Sequence, residues 1–262
     1  MGSETIWAVV TGASSGLGVE LAAQLANRKI NLVLTARSEP QLQRLAGKLR
    51  LDSGVEVLVE PLDLSLPGSP IELVKRLDQR GVKPEILINN AAFGLYEPFM
   101  DSAPERLQAM LQLDIVSLVE LTQVFGRRMV ANGRGRILLV GSMAAYQPVP
   151  LMAAYAGAKA FVLSFGEALH VELAPKVSVT VLSPGLMDTG FNKASGYESP
   201  KALESMKLPP AEVARIGLDA LFAGRSGVIA GRLNKIMAFS SRLMPRHFSA
   251  KAAMPKAAPV RG

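Results

Sequence analysis

In the run AAYAGAKA, residues 153–160, Tyr155 and Lys159 are the only side chains larger than a methyl group. Four positions apart on a helix, they lie on one face, one turn from each other. A free phenol titrates near ~10, too high for efficient proton transfer at neutral pH. A fixed ammonium favours the phenolate and lowers that value, so the pair is expected to form a tuned acid or base. The small neighbours are expected to let a cofactor and a substrate approach the helix; close packing on another element would want the same residues. Ser142 ends the run RILLVGS, where its hydroxyl could bond a carbonyl oxygen. With Tyr155 it would stabilise charge developing on that oxygen during hydride transfer. Tyr146 is followed four residues later by Pro150 rather than a base, and is rejected as the proton donor.

A second group of residues suits an anion. The stretch TGASSGLG follows an apolar run and opens an amphipathic one, with glycines at 12, 16 and 18. Gly12 permits a tight turn, Gly16 a close approach of backbone to a pyrophosphate, and Gly18 close packing of helix on sheet. Unpaired N–H groups at the helix start, from Ser14, Ser15, Gly16 and Leu17, would face the phosphates.

These motifs, with NNAA at 89–92 and SPGLMDT at 183–189, resemble the short-chain dehydrogenase/reductase family, in order and spacing, over roughly residues 5–190. The resemblance implies an oxidoreductase interconverting a carbonyl and an alcohol, with Ser142, Tyr155 and Lys159 catalytic. It gives Lys159 a further role on the nicotinamide ribose. Asp63 is placed at the adenine, and Asn89, Ala91, Pro184, Gly185 and Thr189 along the cofactor. Two residues depart from the family pattern. Ala92 stands where glycine is usual, and Asp114 where an asparagine completes the active site. In the family that residue acts through a water held partly by its backbone carbonyl, which aspartate retains. The Asp114 carboxylate is expected to raise the pKa of Lys159. Strand two ends in LTARSE: Ala36 replaces the acid that would hold a ribose 2′-hydroxyl, and Arg37 offers a planar fork to a 2′-phosphate. NADP is therefore expected over NAD, the competing reading being that Glu39 contacts the ribose. The alternative to an enzyme is a dinucleotide-binding sensor or scaffold of the same fold with little turnover.

The elements that must position these residues alternate along the chain. Near-continuous apolar runs start at residues 6, 31, 55, 85, 135 and 177, with amphipathic helical runs between them. Such alternation predicts an α/β fold, a single doubly wound Rossmann-type domain whose mostly parallel sheet is covered by helices on both faces. Residues 104–132 read as one long helix. Apolar residues flanking the chemistry, Phe93, Leu95, Met143, Val149, Leu151, Met152 and Phe191, predict a hydrophobic substrate.

With no cysteine, disulfides and thiolate chemistry are excluded, and two histidines make a His-rich metal site unexpected. No signal peptide, myristoylation pattern or uncharged membrane-spanning run is visible, so a cytoplasmic location is expected. A homodimer or homotetramer is the expected assembly. The formal charge is +7, and from Ala220 onward there are eight basic residues and no acid; removing those eight leaves 21 basic against 22 acidic. The expected division is a catalytic domain over 1–240 and a basic, flexible tail over 241–262. Solvation is the favoured reading of that basic segment. Binding of an anionic membrane surface by the stripe in RLNKIMAFSSRLMPRH is the competing one. Nucleic acid is not expected, because no reader motif accompanies the charge.

Overall fold

The computed structural model describes residues 6–197, 206–243 and 245–254. Seven parallel strands form one sheet in the order β3-β2-β1-β4-β5-β6-β7. They are β1 (Trp7–Thr11), β2 (Asn31–Ala36), β3 (Val57–Pro61), β4 (Ile86–Asn89), β5 (Gly135–Val140), β6 (Val177–Ser183) and β7 (Gly227–Ile229). The helices are α1 (Gly16–Asn27), α2 (Glu39–Ser53), α3 (Ser69–Gln79), α4 (Pro104–Leu111), α5 (Leu118–Ala131), α6 (Ala153–Glu172), α7 (Gly190–Ser195), α8 (Pro210–Phe222), α9 (Arg232–Leu243) and α10 (Arg246–Ala253).

Strand side chains alternate between two apolar layers. Ala8, Val10, Leu32, Leu34, Ile88, Leu138 and Leu182 pack under α1, α2 and α8. Val9, Val33, Leu87, Ile137, Leu139 and Val179 face the layer that holds α3, α5 and α6. Both faces are thus covered, which is why the strands read as unbroken apolar runs. The short β7 was not expected: three residues, exposed or half-buried, carry no usable pattern.

Two expectations are corrected. The long helix is interrupted by a π-helical segment, Gln112–Ser117, between α4 and α5. By length and composition Pro104–Ala131 could cross a membrane, and it is the one such helix among the described residues, where none was expected. Here its Leu118, Leu121, Phe125 and Met129 are buried against the sheet. Nor does a tail begin at residue 241. Helix α9 runs through that boundary and α10 follows Pro245, which separates the two helices as a proline should. Residues 255–262, and 198–205 of the segment flanking the substrate side, lie outside the described residues.

Candidate active site

The strand order reverses between β2-β1 and β4-β5, and the crevice at such a reversal is where doubly wound sheets bind ligands. A cleft of about 660 Å³ opens there. One end is the glycine loop. Gly12 has φ +66°, and a Cβ on it would lie 2.9 Å from Ala91 Cα. A Cβ on Gly18 would lie 2.2 Å from the Gly12 carbonyl oxygen, so only glycine lets α1 approach the loop this closely. Gly12, Ser14, Ser15, Gly16 and Leu17 line the cleft. Gly18 does not, and its part is packing rather than ligand contact. The first turn of α1 carries no acid, so its positive end is left to an external anion.

Asn89, expected along the cofactor, points away: its Nδ2 donates to Thr122 Oγ1 at 3.0 Å and Leu118 O at 3.4 Å, behind the sheet. The strand pleat sends the next residue to the other side. Asn90 lines the cleft and donates Nδ2 to Thr11 O at 2.9 Å and Gly12 O at 3.3 Å, bracing the glycine loop. The pair in NNAA carried the signal, and alternation along the strand decides between its members. Ala91 lines the cleft as expected, as do Pro184, Gly185 and Thr189. Asn234 was missed. Its Nδ2 donates to Ala230 O at 2.6 Å, and its side chain rests where a Cβ on Gly185 would be, 2.3 Å away. No local motif marks it.

At the far end of β2, Ala36, Arg37, Ser38 and Gln41 line the cleft, while Glu39 does not. Arg37 is exposed, and no ion pair or hydrogen bond of its guanidinium is formed among the described residues. Asp63 also lines the cleft, its Oδ1 accepting from Ser65 N–H at 2.9 Å and Ser65 Oγ at 2.6 Å.

Tyr155, Lys159 and Ser142 meet in the middle of the cleft. Ser142 caps a short 3-10 turn, Met143–Tyr146, its Oγ accepting from Ala144 N–H at 3.1 Å. Lys159 is buried, with Nζ 5.6 Å from the Tyr155 ring centroid and donating to Val140 O at 3.2 Å. Asp114 Oδ2 stands 3.3 Å from the same Nζ, and its Oδ1 accepts from Phe93 N–H at 3.1 Å. Asp114 is wholly buried behind the lysine and does not line the cleft. The carboxylate thus reaches Lys159 directly, from within the π-helical segment.

The electrostatics differ from the expected lowering at Tyr155. Burial pushes the phenol above its ordinary value; Lys159 pulls it down, Asp114 pushes it up, and Ser142 as hydrogen-bond partner eases it down, with a net rise. Asp114 is itself raised by burial, against the pull of Lys159. Burial lowers Lys159, but attraction to Asp114 and Tyr155 outweighs it and holds the amine above its usual range. The site in this form is a protonated phenol beside a firmly protonated ammonium.

The small residues around the pair divide between packing and exposure. Ala156 and Ala158 are buried without lining the cleft, and Ala153 and Gly157 face solvent. Tyr146 lines the cleft, its hydroxyl 3.2 Å from Ser183 Oγ and away from any base. On the substrate side Phe93, Met143, Val149, Met152 and Phe191 line the wall, joined by Tyr197, Met206 and Met237. Leu95 and Leu151, expected there, do not. Phe191 packs on Tyr155 with centroids 5.6 Å apart.

Residues 6–199 match the family model for short chain dehydrogenase. Over 227 residues the chain is 36% identical to a very-long-chain 3-oxoacyl-CoA reductase of Podospora anserina, covering 84% of this chain and 65% of that one. It is 32% identical over 190 residues to human 17-beta-hydroxysteroid dehydrogenase type 3, covering 71% and 61%. The chain therefore spans less than two thirds of the length of these curated relatives. Among solved structures, a short-chain dehydrogenase from Sphingobium yanoikuyae in complex with NADPH superposes with a TM-score of 0.80 at 27% identity, covering 97% of this chain and 98% of that one.

Proposed function

This chain belongs to the short-chain dehydrogenase family, and from that premise we propose that it is an NADP(H)-dependent oxidoreductase interconverting a lipophilic ketone and the corresponding alcohol. The observation that carries the reading is the convergence of Ser142, Tyr155 and Lys159 in one cleft with the glycine loop. The chain's residues fit an NADP molecule. Gly12 and Gly16 line the cradle, Gly18 lets α1 pack against it, and Arg37 at the cleft edge has no guanidinium partner among the described residues, free to meet a 2′-phosphate. The solved relative's complex with NADPH supports the same choice.

Bound NADPH would supply the hydride. Ser142 and Tyr155 would hold the carbonyl oxygen through their hydroxyls. Because burial keeps the Tyr155 phenol protonated, it is ready to give its proton to that oxygen as negative charge develops. Lys159 then faces the phenolate it leaves behind, and Asp114 with Val140 O fixes the ammonium in place. The apolar wall and the names of the two curated relatives, one acting on a very long acyl chain and one on a hydroxysteroid, support a bulky apolar substrate.

We place the protein in the cytoplasm as a homodimer or homotetramer. The assembly is supported by apolar side chains left exposed on the α4–α6 layer: Leu111, Val116, Phe161 and Val171. The experiment is NADPH consumption against a panel of ketones graded by size and hydrophobicity, repeated with NADH. Turnover that rises with ketone hydrophobicity and favours NADPH is expected. Tight NADPH binding with no turnover on any of them would leave the scaffold reading in its place.

A further inference from the structure

Helix α9 is oriented opposite to an ordinary surface helix, which turns its apolar stripe to the core. Its inward residues are Asn234 and Ala238, both buried, and Ser241, whose Oγ donates to Tyr146 O at 3.2 Å. Its outward residues are Leu233, Ile236, Phe239 and Leu243, which are 56%, 64%, 65% and 74% exposed. Phe248 on α10 is 63% exposed as well. Contiguous apolar exposure of this kind marks an interaction surface.

From the geometry and the charge around it, we propose that the outer face of α9 and α10 docks on an anionic lipid bilayer. The apolar residues enter the headgroup boundary, and the flanking cations meet the lipid phosphates. Charge complementarity selects this occupant. From Ala220 to the end of the chain there are eight basic residues and no acid, and Arg232 and Lys235 on α9 and Lys251 on α10 are exposed. A second copy docking isologously through this face would bring the same cations against themselves. Asn234, Met237 and Ser241 of α9 also line the catalytic cleft. The docked helix is therefore a wall of the cleft, and its rim lies at the lipid surface. The docking rests on this exposed face alone and stands or falls apart from the reductase reading.

The test is co-sedimentation of the full chain with vesicles of phosphatidylglycerol and phosphatidylcholine, and with vesicles of phosphatidylcholine alone. Pelleting with the anionic vesicles only, falling as salt is added, is expected. Ile236→Ser and Phe239→Ser, neither in the cleft lining, should each weaken binding roughly tenfold. Lys235→Glu and Lys251→Glu should each weaken it by roughly fivefold or more. NADPH affinity measured on the same variants should be unchanged, which separates a lost surface from a lost fold. Protein that stays in the supernatant at low salt overturns the proposal. So does equal pelleting with neutral vesicles. A dimer in sedimentation velocity that Ile236→Ser and Phe239→Ser dissociate, without vesicle binding, assigns the face to a second copy and overturns it too.

Discussion

A carboxylate 3.3 Å from Lys159 changes what the ammonium can do for the phenol. Asp114 raises both partners, so the pair is biased toward the protonated form. Reduction needs that form. Its rate should stay level through neutral pH and fall only on an alkaline limb, where the phenol ionises. Alcohol oxidation needs the phenolate and should rise over the same range. In Asp114→Asn one raising influence is gone, so the limb should move to lower pH in both directions of reaction. A pH–rate series on the variant checks this; a limb that stays put would show the two groups to be uncoupled, and one that moves up would contradict the raising influence of Asp114. At the other end of the cleft, Arg37→Ala removes a charge-assisted contact. Such contacts are worth about 1.5–3 kcal/mol, so NADPH affinity should fall roughly tenfold or more while NADH affinity holds. Parallel titrations of the two nucleotides read the difference. Tyr155, Lys159, Ser142 and Arg37 were legible in the sequence because their chemistry is local: a spacing, a strand end, a dipeptide. Asn90 was legible only as one of the NNAA pair, since the strand pleat decides which member faces the glycine loop, and Asn234 was not, since its packing against Gly185 joins segments distant in the chain.

Elements decide where those side chains point. The period of the long apolar run gave helix over 104–132, but nothing in that period marks the π segment that aims Asp114 at Lys159. Such segments recur at functional sites. The glycine loop is the opposite case, with its geometry written in its residue types. Gly18→Ala would place a methyl 2.2 Å from the Gly12 carbonyl oxygen, a backbone atom that cannot rotate aside. The expected cost is about 1–3 kcal/mol of stability, with weakened dinucleotide binding as the loop is pushed out of shape. Thermal unfolding with and without NADPH measures both effects. The small residues of AAYAGAKA are a related case. A sequence shows that a helix face can be approached closely, and only the packing shows that buried Ala156 and Ala158 do not line the cleft.

At the scale of the whole molecule, the alternation of apolar and amphipathic runs was sufficient for the doubly wound sheet, because strands buried on both faces leave an unbroken signature. It was insufficient for β7 and for the last helices. The former is three residues long; the direction in which α9 turns its stripe depends on what the rest of the domain offers to cover it. The sheet brings β1, β4, β5 and β6 to one crevice, and in the proposed reaction the phenol held there gives the proton that completes carbonyl reduction. Tyr155→Phe tests it most directly, since the change deletes one oxygen and keeps the ring against Phe191. With a ketone that the parent protein reduces, turnover should fall by roughly 10²–10⁴-fold, while the NADPH dissociation constant stays within about twofold. Near-parent turnover in Tyr155→Phe, with NADPH still bound, would rule Tyr155 out as the proton donor.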